Sequence, residues 1–134
     1  MDYYPNELVG HEVIDTVSIL ERIVSKIKEG NLNAIELGCD FVVDDFKTPF
    51  GKITKSHIFN ALRSQVNYID RKRKASLTNL AIKCIELPYP PRELKILIKL
   101  VKDFGYKFSN NIIENSNPKS NIGKKHIRYL QSML

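Results

Sequence analysis

Apolar residues recur along this chain at intervals of three and four, and strict alternation is nearly absent, which is the pattern of amphipathic helices. Val13, Val17, Leu20, Val24 and Ile27 form one such stripe, widened by Ile14 and Ile23. They predict a first helix that opens near Asn6, after Pro5, and stops at Gly30. A second helix is expected from Asn31 or Asn33 to about Asp45, burying Ile35, Leu37, Gly38, Phe41 and Val42. Pro49 and Gly51 mark "FKTPFGK", residues 46–52, as a loop.

Thr54 or Ser56 is the expected cap of a third helix, with Ile58, Phe59, Leu62 and Val66 on its apolar side. Asp70 can cap a fourth, whose inward face is Leu77, Leu80, Ala81, Cys84 and Leu87. "PYPP", residues 88–91, ends that helix and offers Pro91 as the first residue of the next. There Leu94, Leu97, Ile98, Val101 and Phe104 face inward, and Gly105 is the stop. A short helix around Phe108–Asn115 and a last one from about Lys119 to Leu134 complete the pattern. About seven helices joined by short turns predict a single all-α domain over residues 1–134. Tight links make neighbouring helices antiparallel, so the expected architecture is a stack of helical hairpins, an α-solenoid.

The composition is that of a globular protein, 43% hydrophobic and 27% charged. Charges interrupt every apolar stretch, so no membrane span is expected, and "MDYYPNELVG" lacks the features of a secretory signal. Cys39 and Cys84 each fall in an apolar-periodic segment and read as buried free thiols, which points to the cytoplasm. The net charge of +6 conceals an asymmetry. Residues 1–50 hold ten acids and four bases, whereas residues 51–134 hold five acids and seventeen bases. An acidic half opposes the approach of a uniform polyanion, so the pattern favours a partner that is itself unevenly charged.

Little in the chain suggests catalysis. "HEVID" puts His11 and Asp15 one helical turn apart with Glu12 beside them, but the second histidine of a zinc-protease helix is missing. His57 and His126 have no serine or cysteine at a nucleophile spacing, and no glycine-rich phosphate loop exists. Neither an enzyme nor a cofactor or metal is expected. Two charged features remain. Arg71, Lys72, Arg73 and Lys74 run consecutively, but on a helix they point in four directions. With Lys124 and Arg128, one turn apart near the C-terminus, they could track phosphates, assisted by Tyr68 or Tyr129. Glu36, Asp40 and Asp44 repeat every four residues, with Asp45 alongside. Their mutual repulsion costs an isolated helix roughly 0.2–0.5 kcal/mol per pair. A solvated face accounts for either feature, and a binding surface is the alternative in both cases.

The C-terminal sequence also carries a resemblance. "NPKSNIGKKHIRYLQSML" resembles the second helix of a HEAT-type repeat, and "LTNLAIKCIELPYPPRELKILIKLVKDFG" resembles the hairpin before it. His126 departs from the small residue usual at its place. From "NAIELGCDFVVDDFKTPFGK" onward, residues 33–134 are similar to small bacterial HEAT-like immunity proteins of contact-dependent growth inhibition systems. The resemblance implies a cytoplasmic protein, monomeric when free, that binds and neutralises one cognate toxin domain, a ribonuclease. Glu36, Asp40, Asp44 and Asp45 would imitate nucleic-acid phosphate in that toxin's basic cleft. The alternative is a nucleic-acid-binding accessory protein using Arg71–Lys74, Lys124 and Arg128. A third reading is a structural subunit, joined acidic half to basic half.

Overall fold

The computed structural model describes residues 19–44 and 51–134, with the backbone alone for 51–54. Helix α1 covers 19–28. It is followed by α2 (Leu32–Asp44), α3 (Gly51–Arg63), α4 (Arg71–Ile85), α5 (Leu94–Phe104), α6 (Tyr106–Asn115) and α7 (Asn121–Ser132). A single 3-10 turn, Val66–Tyr68, stands between α3 and α4, and the described residues contain no strand. The all-helical expectation holds over this range. The start predicted at Asn6 and the contributions of Val13, Ile14, Val17, Asp45 and Pro49 lie outside the described residues.

Local chemistry explains most of the helix ends. Gly30 (φ 85°) closes α1. Its N–H donates to the Ile27 carbonyl, and that of Asn31 reaches back to Lys26, the paired bonds of a Schellman ending that needs a left-handed residue. Asn31 then starts α2 by accepting from the Ala34 N–H at 2.9 Å. Asp70 caps α4 as expected, accepting from Arg73 N–H at 2.9 Å, and Ser120 caps α7 through Gly123 N–H at 2.9 Å. Gly105 (φ 112°) both ends α5 and opens α6, a redirection within one residue that a side chain would strain.

Several boundaries differ from the sequence reading: α4 ends at Ile85, short of Leu87, and α7 spans Asn121–Ser132 inside the expected 119–134. Helix α3 begins at Gly51, so Thr54 and Ser56 lie inside it, because glycine is acceptable where the first N–H groups have no intrahelical partner to lose. Pro91 opens a turn ahead of α5 instead of the helix itself. The N–H groups of Leu94, Lys95 and Ile96 bond three residues back, to Pro91, Arg92 and Glu93. Helix α6 begins at Tyr106, directly after Gly105.

The core forms where the stripes meet. Helix α5 is its centre, touching α3, α4, α6 and α7, and buries Leu94, Leu97, Ile98, Leu100, Val101 and Phe104. Helices also touch those two places further along the chain: α2 with α4, α4 with α6, α3 with α5, and α5 with α7. Leu80, Cys84 and Leu130 are buried as their periodicity predicts, whereas Val66 and Leu87 are only half-buried. Leu37 is a correction: it is 55% exposed. The buried side of α2 is Ala34, Ile35, Gly38, Cys39 and Val42, and Leu37 lies about 100° round the helix from Gly38. Lys55 and Glu93, which no periodicity flagged, are almost wholly inside.

Candidate functional site

The first candidate surface arises where α4 begins beside α2. Capping by Asp70 sets the direction of α4, and Arg73, in its first turn, reaches across to α2. Its Nε and Nη2 donate to the two carboxylate oxygens of Asp40, each at 3.0 Å, a bidentate pair. Its Nη1 donates to Asp70 Oδ2 at 2.6 Å and lies 3.7 Å from Glu36 Oε2. The acidic stripe and the basic run, separated in sequence, are therefore one neighbourhood. The Arg73 N–H and then its guanidinium hold the Asp70 carboxyl below the usual carboxylate range. The hydrogen bonds that Arg73 donates to Asp40 and Asp70 push its own pKa further up.

What remains outward is specific. Glu36, Asp40 and Asp44 are exposed, and Asp44 has no ion pair among the described residues. Leu32 and Leu37 flank these carboxylates at 56% and 55% exposure, an apolar component on an otherwise charged ridge. Asp45 lies outside the described residues. In the basic run, Arg71 and Lys72 project into solvent. Lys74 is half-buried with Nζ 5.8 Å from the centroid of the Phe104 ring, within cation–π range. Four bases in sequence thus have three different surroundings.

Neither thiol is poised for chemistry. Burial pushes Cys39 up to about 12, despite the nearby Arg73 charge, and Cys84 up to about 11. Both are free and buried, and protonated at neutral pH they are poor nucleophiles. Among the described residues, no three His, Cys, Asp or Glu side chains gather where they could hold a metal ion. His11, Glu12 and Asp15 of "HEVID" lie outside that range, and His57 is exposed on α3.

A second surface was not anticipated as a unit. Between α5, α7 and the proline-rich turn runs a groove of about 490 Å³. Pro90, Pro91, Ile98, Ile122 and Tyr129 give it apolar walls, and Arg92, Lys95, Lys99, Lys125 and His126 join them, with no acid among the described lining residues. Half of this was visible in "RELKILIKLVK", where Arg92, Lys95 and Lys99 recur at the helical period. Partial burial, with Lys125 and Lys95 nearby, pulls His126 below its ordinary value. Lys124 and Arg128 are exposed on the same α7. Gly123 abuts the Ile85 carbonyl, at the end of α4 opposite Arg71–Lys74. On the order of 20 Å along α4 therefore separates Lys124 from that run.

No protein-family model, curated protein or solved structure matches this chain. Among the described residues, no helix is long and apolar enough to cross a membrane.

Proposed function

We propose that this chain is an immunity protein that binds a cognate ribonuclease toxin domain and covers its active site. It acts in the cytoplasm of the cell that makes it, as a HEAT-like stack of helices. The observation that carries this reading is the outer face of α2. Glu36, Asp40 and Asp44 stand at helical-turn intervals between two leucines more than half exposed. An acidic helix face with apolar anchors is complementary to a cleft lined by bases for RNA. The carboxylates steer the encounter, and the leucines contribute the desolvated contact that slows dissociation. Arg73 supports the same reading, because its fork on Asp40 fixes one carboxylate before the partner arrives and reduces the ordering cost of binding. Contacts of α2 with α4, α4 with α6, α3 with α5 and α5 with α7 support the stacked-hairpin part of this reading.

The test is co-expression with the ribonuclease toxin domain encoded beside the gene. Glu36→Gln with Asp44→Lys should abolish protection while helix content and melting temperature stay near wild type. Asp40 is left intact so that Arg73 keeps its partner. Arg71→Glu with Lys72→Glu should protect as wild type does. Protection that survives the α2 substitutions would refute the assignment of α2 as the interface. Absence of such a toxin domain beside the gene would refute the immunity role.

A further inference from the structure

Helix α2 does not account for the groove between α5 and α7. Arg92, Lys95, Lys99 and Lys125 surround it with His126, and among the described residues no carboxylate lines it to neutralise them. An uncompensated set of cations around a concave surface concentrates positive potential there and selects an anionic occupant. The apolar part of the lining narrows the choice further. Tyr129 lies in the wall, Ile122 is 54% exposed, and Tyr89, next to Pro90 in the chain, is 91% exposed. A small inorganic anion would leave these surfaces unused. Lys124 and Arg128, also exposed on α7, stand on a different side of that helix from Ile122, Lys125, His126 and Tyr129, so the groove's own bases carry the charge. At about 490 Å³ the groove admits a ligand of small-molecule size, not a duplex.

We propose that this groove binds a single strand of nucleic acid without sequence preference. Arg92, Lys95, Lys99 and Lys125 hold successive phosphates, and Tyr129 and Tyr89 offer rings to the bases. The chemistry is that of sequence-tolerant single-strand binders: a basic track that follows the backbone, with aromatic faces on which any base can stack. The inference is independent of the immunity role, because it uses neither α2 nor Arg71–Lys74.

The experiment is fluorescence anisotropy of a labelled twelve-nucleotide oligouridylate with the full chain, repeated over a salt series. Four phosphate contacts predict a slope of log affinity against log salt near −3, from about −0.7 per contact on a single strand. Lys95→Glu with Lys125→Glu, both at exposed positions, should weaken binding at least tenfold and flatten the slope, whereas Arg71→Glu with Lys72→Glu should change affinity less than threefold. Tyr89→Ala removes only an exposed ring and should weaken oligouridylate about fivefold. Labelled poly-glutamate of matched charge should bind at least tenfold more weakly than oligouridylate and ignore Tyr89→Ala. Equal or tighter binding of poly-glutamate would overturn the proposal in favour of an acidic peptide. Oligouridylate affinity that survives the Lys95/Lys125 reversal would place the contact elsewhere.

Discussion

A methyl group added at Gly123 and one added at Gly38 would each meet a neighbouring atom at 2.7 Å, yet the two substitutions should differ in effect. At Gly123 the obstacle is the backbone carbonyl oxygen of Ile85, with Pro118 Cβ at 3.0 Å and Ser120 Oγ at 3.3 Å. Ordinary contact begins near 3.4 Å, so α7 must move away from the end of α4 by about 0.7 Å. Overpacking of this kind costs ~1–3 kcal/mol. The helix-propensity gain of alanine over glycine returns at most about 1 kcal/mol, and less so close to the N-terminus of α7. Gly123→Ala should therefore destabilise by about 1–2 kcal/mol, lowering the melting temperature by roughly 3–8 °C. At Gly38 the obstacle is Ile27 Cδ1, the far end of a side chain that can turn, with Ile58 Cγ2 at 3.4 Å. Reorienting Ile27 costs about 0.5–1.5 kcal/mol, which the propensity gain nearly offsets. Gly38→Ala should stay within about 1 kcal/mol of wild type. Urea unfolding followed by far-UV circular dichroism measures both. A Gly123→Ala protein as stable as wild type, or a Gly38→Ala protein that is the weaker of the two, would refute this account of how α7 docks.

Two further outcomes test the core and the α4 cap. Leu97, 1% exposed on the central helix, should cost ~2–5 kcal/mol when cut to alanine, and a loss under about 1 kcal/mol would contradict its place in the core. Asp70→Ala removes the α4 cap and should cost ~0.5–2 kcal/mol near neutral pH. Because the folded-state pKa of Asp70 is depressed, its contribution is present above the ordinary carboxylate value of 3.8 and disappears as pH falls through the lower folded value. The gap between wild type and Asp70→Ala should therefore close at pH values well below 3.8, measured as the difference in urea midpoint across an acid series.

The helices were legible because each is recorded locally. Leu97, Val101 and Phe104 mark their stripe by spacing alone, and Asp70 and Gly30 mark ends by chemistry acting within a few residues. Leu37 was misread because α2 carries apolar residues at Ile35, Leu37, Phe41 and Val42, and a broad stripe does not reveal its own centre. Gly38 decides it. A residue without a side chain sits where α2 approaches Ile27 of α1 and Ile58 of α3, which turns Leu37 outward. Half of the α5–α7 groove could be read from Arg92, Lys95 and Lys99, but the wall from α7 depends on where that helix docks.

The charged features were only half legible in the sequence for a related reason. A charge run has a sign in sequence, but its partner is a property of the fold. Repulsion among Glu36, Asp40 and Asp44 looked unrelieved because Lys47 was the one nearby base in the sequence. Arg73, thirty-three residues beyond Asp40, relieves it through two 3.0 Å bonds. Three consequences follow from that one side chain. The acidic face of α2 and the basic start of α4 are neighbours in space. Arg73 is no phosphate contact while Asp40 and Asp70 hold it, which removes the geometric basis for treating Arg71–Lys74 as a single track. Asp40 has a structural partner as well as an outward face, so reversing its charge would confound binding with stability. Asp44, with no ion pair among the described residues, is the position on α2 whose charge can be reversed most cleanly, whereas Glu36, 3.7 Å from Arg73 Nη1, is better neutralised to glutamine.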